Sequence, residues 1–460
     1  MLKKWLHKVL PGKQPKQVPV AKEILPFDRH HISADMLSFA AEKVVRRLHD
    51  EGFQAYVVGG AVRDLLLGVE PKDFDIATDA TPEQVHKIFR RSRIIGRRFQ
   101  IVHVMVGPET IEVTTFRGGG KVQQNAHGRI MKDNTYGSME EDAMRRDFTC
   151  NALYYDPIKE EIVDFHHGVG DIADRKLVMI GNAAERYQED PVRILRAVRL
   201  SGKLGFDVEE NTAAPIPEQA GRLKHEPVAR LFDEIMKLLF SGYARECLKR
   251  LNSLGVSDDV HPLLTALKSA AKPENRIISL ALKNTDERLR ADKSVSVGFV
   301  LAAVLWPVLN RHWQDNIKRG QKPAHALSEA MNTMRETVEK GWGVPQRFAA
   351  TMREIWQLQP QFDYTRGARP HKMLAQARFR AAYDFLVLRG EVGEVERDLV
   401  EWWTKFQHAD AEARAEMTLA TQQRRQHGQG DGADGKPNRK RRRSRKKKPA
   451  ADKPDRKSVV

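Results

Sequence analysis

Tyr56-Val57-Val58-Gly59-Gly60-Ala61-Val62-Arg63-Asp64-Leu65-Leu66-Leu67-Gly68, followed within a few residues by Lys72-Asp73-Phe74-Asp75-Ile76, is the stretch on which the fold turns. The apolar run 56–58 reads as a short buried strand, and Gly59-Gly60 lets the backbone turn tightly into an amphipathic helix. Free N–H groups at the start of that helix, reinforced by its dipole, suit an anion such as a phosphate. Arg63, on the first turn, adds a cationic fork. Gly68 ends the helix and Pro71-Lys72 turns the corner. Alternation then puts Asp73 and Asp75 on one face of a strand, with Phe74 and Ile76 anchoring the other.

Same-face carboxylates roughly 7 Å apart along a strand repel one another unless a cation lies between them, and Mg²⁺ is the usual one. A nucleoside triphosphate would bring that ion with it. The pattern therefore predicts a phosphoryl-transfer site, in which the Gly-Gly helix end takes the triphosphate and the aspartates take one or two metal ions. Alone, a Gly-Gly turn is usually only a turn, and an Asp-x-Asp pair is more often a solvated face. Together, between residues 59 and 75, they favour function.

The run GG-x-VRD-x-LLG with KDFDI resembles the nucleotidyltransferase core shared by bacterial poly(A) polymerases and CCA-adding tRNA nucleotidyltransferases, relatives of the DNA polymerase beta palm. The resemblance implies untemplated addition of nucleotides to an RNA 3′ end. It also implies Asp73 and Asp75 as ligands of Mg²⁺, or of Mn²⁺ in its place. Gly59, Gly60 and Arg63 would then lie on the incoming ATP.

The rest of the composition is consistent with such a partner. The 460 residues suffice for two to four domains, and a net charge of +17 points to a polyanion, most simply nucleic acid. Only Cys150 and Cys247 are present, which argues against a disulfide framework or zinc cluster and fits a reducing cytoplasm. Lysines interrupt the N-terminal segment MLKKWLHKVLPGK, so it is not expected to be a signal peptide. The longest apolar run, 297–309, is too short for a bilayer that needs roughly 20 residues.

Residues 1–30 read as a disordered basic lead-in. A helix is expected over 33–52 with Ser33 as its cap, another over 82–89, strands over 101–106 and 110–116, and a mobile loop over 118–137. On the strand 111–116, Glu112 falls opposite Ile111 and Val113. By geometry it is as readily a solvated side chain as a third acidic group, and the family resemblance favours the latter. The stretch IIGRRFQIVHV resembles poly(A) polymerases more than CCA-adding enzymes and would bring Arg97 and Arg98 near the site. His166-His167, adjacent on a strand, would point to opposite faces and make a poor chelate.

Two further constellations stand out. In Glu140-Glu141-Asp142-Ala143-Met144-Arg145-Arg146-Asp147-Phe148-Thr149, a local ion-pair network is the simplest account. RRDFT-x-NAL, however, resembles the family motif that meets the nucleotide, which implies Arg146 on the nucleotide and Asp147 in the catalytic set. Whether Glu112 or Asp147 is the third catalytic carboxylate stays open. In Glu189-Asp190-Pro191-Val192-Arg193-Ile194-Leu195-Arg196-Ala197-Val198-Arg199, Asp190 can cap a helix that carries three arginines along one side. An acid followed by arginines can accept from adenine's amine and donate to its ring nitrogen. The resemblance assigns base selection to Asp190 and Arg193, with Arg196 helping.

From about 205 to 420 the sequence is helical, with amphipathic segments at 228–239 and 375–388. Residues 378–389 resemble the carboxyl-terminal part of bacterial poly(A) polymerases. Residues 436–460 hold thirteen basic residues and two aspartates, a net of +11 that leaves +6 for the remainder. Such a segment cannot bury a core and is expected to bind RNA phosphates without reading sequence.

The expected architecture is a basic lead-in (1–30), an α/β nucleotidyltransferase palm as catalytic head (31–175), an all-α neck (176–255) and body (256–420), and a disordered basic tail (421–460). The expected activity is addition of AMP from ATP to single-stranded RNA 3′ ends in a bacterial cytoplasm, promoting RNA processing and decay, with the RNA-decay machinery as a candidate partner. The alternatives are a CCA-adding enzyme and a non-catalytic RNA-binding protein.

Overall fold

The structure is a computed structural model describing residues 22–96, 100–118, 123–124, 130–132, 135–336 and 341–427. Arg97, Arg98 and the segment 436–460 lie outside the described residues, as do 1–21 and much of 118–137.

The strands of the head are β1 (Glu23–Leu25), β2 (Ala55–Val58), β3 (Asp75–Thr78), β4 (Ser92–Ile95), β5 (Ile101–Val106), β6 (Glu109–Thr115), a small β7–β8 ladder (Gln123–Gln124, Ile130–Lys132), β9 (Leu153–Asp156) and β10 (Glu161–Asp164). Eight of them form one sheet in the order β1-β10-β9-β2-β3-β6-β5-β4. Every neighbouring pair is antiparallel except β3 and β6, which run the same way.

The helices of the head are α1 (Phe27–His30), α2 (Phe39–Asp50), α3 (Gly60–Leu66), α4 (Pro82–Ile88), α5 (Met139–Met144) and α6 (Gly168–Ala173). Val44 and Leu48 of α2 and Val85 of α4 share a buried cluster with Val57, Ile76, Val102, Val104, Ile111 and Val113, the alternate residues of the central strands. Each such side chain, once buried, contributes about 1.5–3 kcal/mol. On the opposite face Val58, Ala77, Phe116, Tyr154, Val163 and Phe165 form a smaller cluster with Ala143 of α5. That face carries Asp75 and Glu112, two residues before Ala77 and four before Phe116.

Several sequence expectations shift, and the lead-in expected to be disordered over 1–30 instead contributes β1 and α1 to the head from residue 23 onward, β1 pairing with β10. Ser33 does not cap the first long helix; its hydroxyl turns to Asp35, and it begins a single 3₁₀ turn at 34–36. Ser38 caps α2 instead, accepting from Ala41 N at 3.1 Å, because the chain bends at Leu37 before the helix starts. The strand expected from Asp73 starts at Asp75, yet Phe74 and Ile76 are buried while Asp73 and Asp75 face solvent, so the alternation holds.

The neck opens with α7 (Ala183–Glu189) and α8 (Val192–Leu204). A two-stranded parallel ladder, β11 (Lys176–Leu177) with β12 (Asp207–Val208), brings the end of α8 back to the head. Further helices follow: α9 (Glu210–Ala213), α10 (Ile216–Gln219), α11 (Val228–Leu239) and α12 (Ala244–Ser253). α12 lies close on α8 because Gly202 has no side chain: a Cβ there would sit 2.6 Å from Cys247 Cα.

In the body the apolar run 297–309 belongs to a 22-residue helix, Val297–Lys318, whose second half carries Arg311, Asp315 and Lys318. Among the described residues no helix is long and apolar enough to cross a membrane. The segment expected at 375–388 is a helix at Phe379–Glu391. Its buried Arg389 lies over the Trp306 ring at 4.8 Å and is paired with Glu394 at 3.3 Å.

Candidate active site

Asp75 and Glu112 stand side by side. The parallel register pairs them across β3 and β6, strands about 4.8 Å apart. On the far side of β6, His103 pairs with Glu112 and places Nε2 3.1 Å from Oε1. Asp73, Asp75 and Glu112 are all exposed, and among the described residues neither aspartate has an ion-pair partner. Asp75 remains open to water by surface area while its carboxyl is crowded by neighbouring atoms. That crowding, with Glu112 and Asp73 adding to it and Arg146 opposing, pushes its carboxyl up to about 6. Among the described residues no three His, Cys, Asp or Glu side chains come together as a group that could hold a metal ion. An open carboxylate set suits Mg²⁺, which binds through one or two carboxylates and keeps waters and substrate phosphates as its remaining ligands.

Gly59 has φ +71° and ψ −125°, a conformation that glycine adopts at no steric cost. A Cβ at Gly59 would meet Arg146 Nη1 at 3.4 Å, so the glycine turn and the second arginine of the RRD run adjoin. Arg63 is placed otherwise than the sequence suggested. Its side chain is buried, with Nε and Nη2 on Asp64 Oδ1 at 2.9 and 2.6 Å and Nη1 on Asn151 Oδ1 at 2.6 Å. The guanidinium is thus committed to bracing the seven-residue α3 against the 149–151 turn and offers no open fork.

Arg146 makes four hydrogen bonds to three partners. It donates to Asp142 Oδ2 from Nε and Nη2 at 3.2 and 3.1 Å, to Tyr154 Oη at 3.0 Å, and to the Asn151 carbonyl at 3.2 Å. Asp142, 2% exposed, also accepts from Arg145 at 2.7 Å and from Tyr154 Oη at 2.7 Å. Burial pushes the Asp142 carboxyl up, but Arg146, Arg145 and Tyr154 outweigh it and leave it at about 2.

Asp147 is buried and contacts neither Asp73 nor Asp75 through a hydrogen bond. It accepts from Phe148 N at 2.9 Å and pairs with Arg196 of α8 at 2.8 Å. Burial raises its carboxyl, and Arg196 with the Phe148 amide brings it below its usual range.

The arginine stripe of α8 is correspondingly an internal ladder. Arg193 meets Glu189 at 3.0 Å, Arg196 meets Asp147, and Arg199 meets Glu234 of α11 at 3.6 Å. Asp190 ends α7 and Pro191 stands at the N-cap of α8, so the expected cap is shifted by one residue, although one Asp190 oxygen still accepts from Val192 N at 3.2 Å while its second takes Arg230 of α11 at 2.6 Å. Sequence reasoning missed His103, Asp142 as a gripping group, Tyr154, Arg186 and Arg230. Three of them carried a local signal: Arg145 and Arg146 follow Asp142 at i+3 and i+4, Glu189 follows Arg186 at i+3, and Arg230 follows Glu226 at i+4.

A groove of about 770 Å³ lies elsewhere: Phe39, Lys43, Ile88, Arg91 and Val106 line it, under α2 and α4. That is the sheet face opposite the carboxylates, so the chemistry is located by the acidic groups and arginines and not by this concavity.

Family models match three parts of the chain. Residues 55–178 match the family described as "Poly A polymerase head domain", 205–268 the "Probable RNA and SrmB- binding site of polymerase A", and 319–448 the "Polymerase A arginine-rich C-terminus". Poly(A) polymerase I of Escherichia coli is 44% identical over 398 residues, covering 84% of this chain and 85% of that protein. A CCA-adding enzyme of Lactobacillus helveticus is 37% identical over 48% of this chain and 54% of its own length. Among solved structures, a tRNA-processing enzyme in its apo form superposes with a TM-score of 0.54 at 20% identity, over 82% of this chain and 96% of that one, a likeness of fold.

Proposed function

This chain belongs to the bacterial poly(A) polymerase family and adds AMP from ATP to RNA 3′ ends without a template, and on that premise we propose which of its residues carry the reaction. Asp73 and Asp75 hold Mg²⁺. The observation that carries this assignment is the open carboxylate set: Asp75 and Glu112 in register, Asp73 two residues before, and an Asp75 carboxyl displaced to about 6 by neighbours that a bound cation would offset. Bound there, the ion would activate the attacking 3′ hydroxyl and neutralise charge on the departing pyrophosphate.

Glu112 is the third carboxylate, in register with Asp75 across β3 and β6 and held from the other side by His103, whose Nε2 is 3.1 Å from one of its oxygens. Arg146, fixed against Gly59, presents positive charge where the triphosphate enters over Gly59 and Gly60. Asp190 and Arg193 at the start of α8 read the adenine edge as acceptor and donor. Asp147 serves the nucleotide side by holding Arg196 in place. Arg63 acts on this site through the α3 backbone it braces, not by direct contact.

The RNA 3′ end is single-stranded and the region 205–268 takes RNA, a reading supported by the family match there to a probable RNA-binding site; the RNA-decay machinery is the candidate protein partner. We also assign 31–175 as head, extended at its N-terminal side by β1 and α1 (residues 23–30), 176–255 as neck and 256–420 as body, and place the enzyme in the bacterial cytoplasm. The testing experiment is primer extension with Asp73→Asn and Asp75→Asn at saturating Mg²⁺. Both should lose AMP addition while binding RNA normally; near-normal turnover in either would remove the metal assignment.

A further inference from the structure

We propose that Arg186, at the middle of α7, is a positioning residue that locks the phosphate-side Arg146 and the base-side Arg193 into one rigid relation; the proposal rests on the reading of those two residues given above. The guanidinium of Arg186 crosses from neck to head. Its Nη2 donates to two successive main-chain carbonyls, Arg145 O at 2.7 Å and Arg146 O at 2.5 Å. Its Nη1 takes Glu189 Oε2 at 2.8 Å. Arg193 then donates to the Arg186 carbonyl at 2.7 Å and to the same Glu189 oxygen at 3.0 Å.

The two accepting carbonyls lie at the C-terminal end of α5, where helix carbonyls lack partners and the dipole favours a cation. Holding both fixes the peptide planes on either side of Arg146. The directions in which Arg146 and Asp147 leave the backbone are thereby set from the neck. On the other side, the Arg186 carbonyl and Glu189 set Arg193. One residue therefore spans the two ends of a bound nucleotide without touching it.

The cost of this arrangement argues against a merely structural role. The Arg186 side chain is 14% exposed, its Nε has no hydrogen-bond partner, and burial followed by the nearby Arg193 cation lowers its affinity for its own proton. A buried cation beside a like charge is weak evidence for stability, and an apolar side chain of similar volume would pack there at lower cost. What an apolar side chain cannot do is reach two carbonyls and a carboxylate at once. Lysine, a point charge, could satisfy only part of that set.

The test measures steady-state AMP addition for Arg186→Met and Arg186→Lys, with Arg146→Met and Arg199→Met in parallel. Arg199 is also a buried neck arginine, but it faces Glu234 and touches neither carbonyl. Arg186→Met should raise KM for ATP by about ten- to a hundredfold, the loss expected for charge-assisted hydrogen bonds, with kcat reduced less. Its preference for ATP over the other nucleoside triphosphates should also fall. Arg186→Lys should recover part of the KM, and Arg199→Met should leave KM near wild type.

An unchanged KM and nucleotide preference in folded Arg186→Met would overturn the proposal, as would an equal KM effect from Arg199→Met. So would a fall in kcat and thermal midpoint with KM unmoved. If Arg146→Met itself leaves KM for ATP unchanged, the assignment of Arg146 fails, and that result is distinct from failure at Arg186 alone.

Discussion

Asp142→Asn is the substitution whose effects follow most directly from the structure. Asp142 is 2% exposed and receives donors from Arg145, Arg146, Tyr154 and the Arg117 amide. Its carboxyl lies at about 2 in place of 3.8, a shift of roughly two pH units and therefore about 2.5 kcal/mol of stabilisation. Removing its charge leaves Arg146 without a counter-ion, a change that costs about 3–5 kcal/mol in buried pairs.

We expect a loss near 3 kcal/mol, read as roughly hundredfold faster amide hydrogen exchange over residues 139–156. A depressed folded-state value stabilises above the unfolded value and is lost as pH falls. The wild-type advantage should accordingly be constant between pH 5 and 8 and shrink as pH drops from about 4 through 2. Arg146 would lose its anchor against Gly59, so KM for ATP should rise about tenfold. Unaltered exchange together with unaltered KM, or an advantage that grows in acid, would refute this account of the network.

Deleting residues 436–460 should weaken RNA binding and flatten its salt dependence by about 0.7 in log–log slope for each single-strand phosphate released, with chemistry on saturating primer preserved; an unchanged slope would show that the segment does not touch RNA. Given an unstructured primer and Mg²⁺, the enzyme should build long heterogeneous tails from ATP and little from CTP. A preference for tRNA lacking its 3′ end, with CTP accepted first and a halt after three additions, would contradict the family's activity.

Much of the head was legible because its signals are local. Gly59-Gly60 had to be a turn, Phe74 and Ile76 had to face one way, and Asp73 and Asp75 the other, since these follow from backbone freedom and from the period of a strand. Thr81-Pro82 similarly announced α4, whose capping box joins Thr81 to Gln84. The arginines were harder. Arg193, Arg196 and Arg199 looked like a face awaiting a base, but their charges are taken up by Glu189, Asp147 and Glu234, the last two distant in sequence.

The partners of Arg63 were hidden for the same reason. Its position on the first helical turn was plain, but Asn151, which turns it inward, lies 88 residues away. Sequence pattern shows where a charged side chain leaves the backbone; what satisfies it is decided by tertiary packing.

The parallel pairing of β3 with β6 bears on how the head is assembled. Antiparallel neighbours can be joined by a tight turn, whereas strands running the same way require a crossover, here α4 and the β4–β5 hairpin. Asp75 and Glu112 therefore meet only after the intervening chain has closed a long loop, and contacts of that kind form slowly. During synthesis the ribosome must release the chain beyond Thr115 before the two carboxylates can be neighbours. By then the apolar partners Ile76 and Val113, one residue further along each strand, are available to hold them together, so the repulsion at the catalytic face is met by a core that forms in the same step.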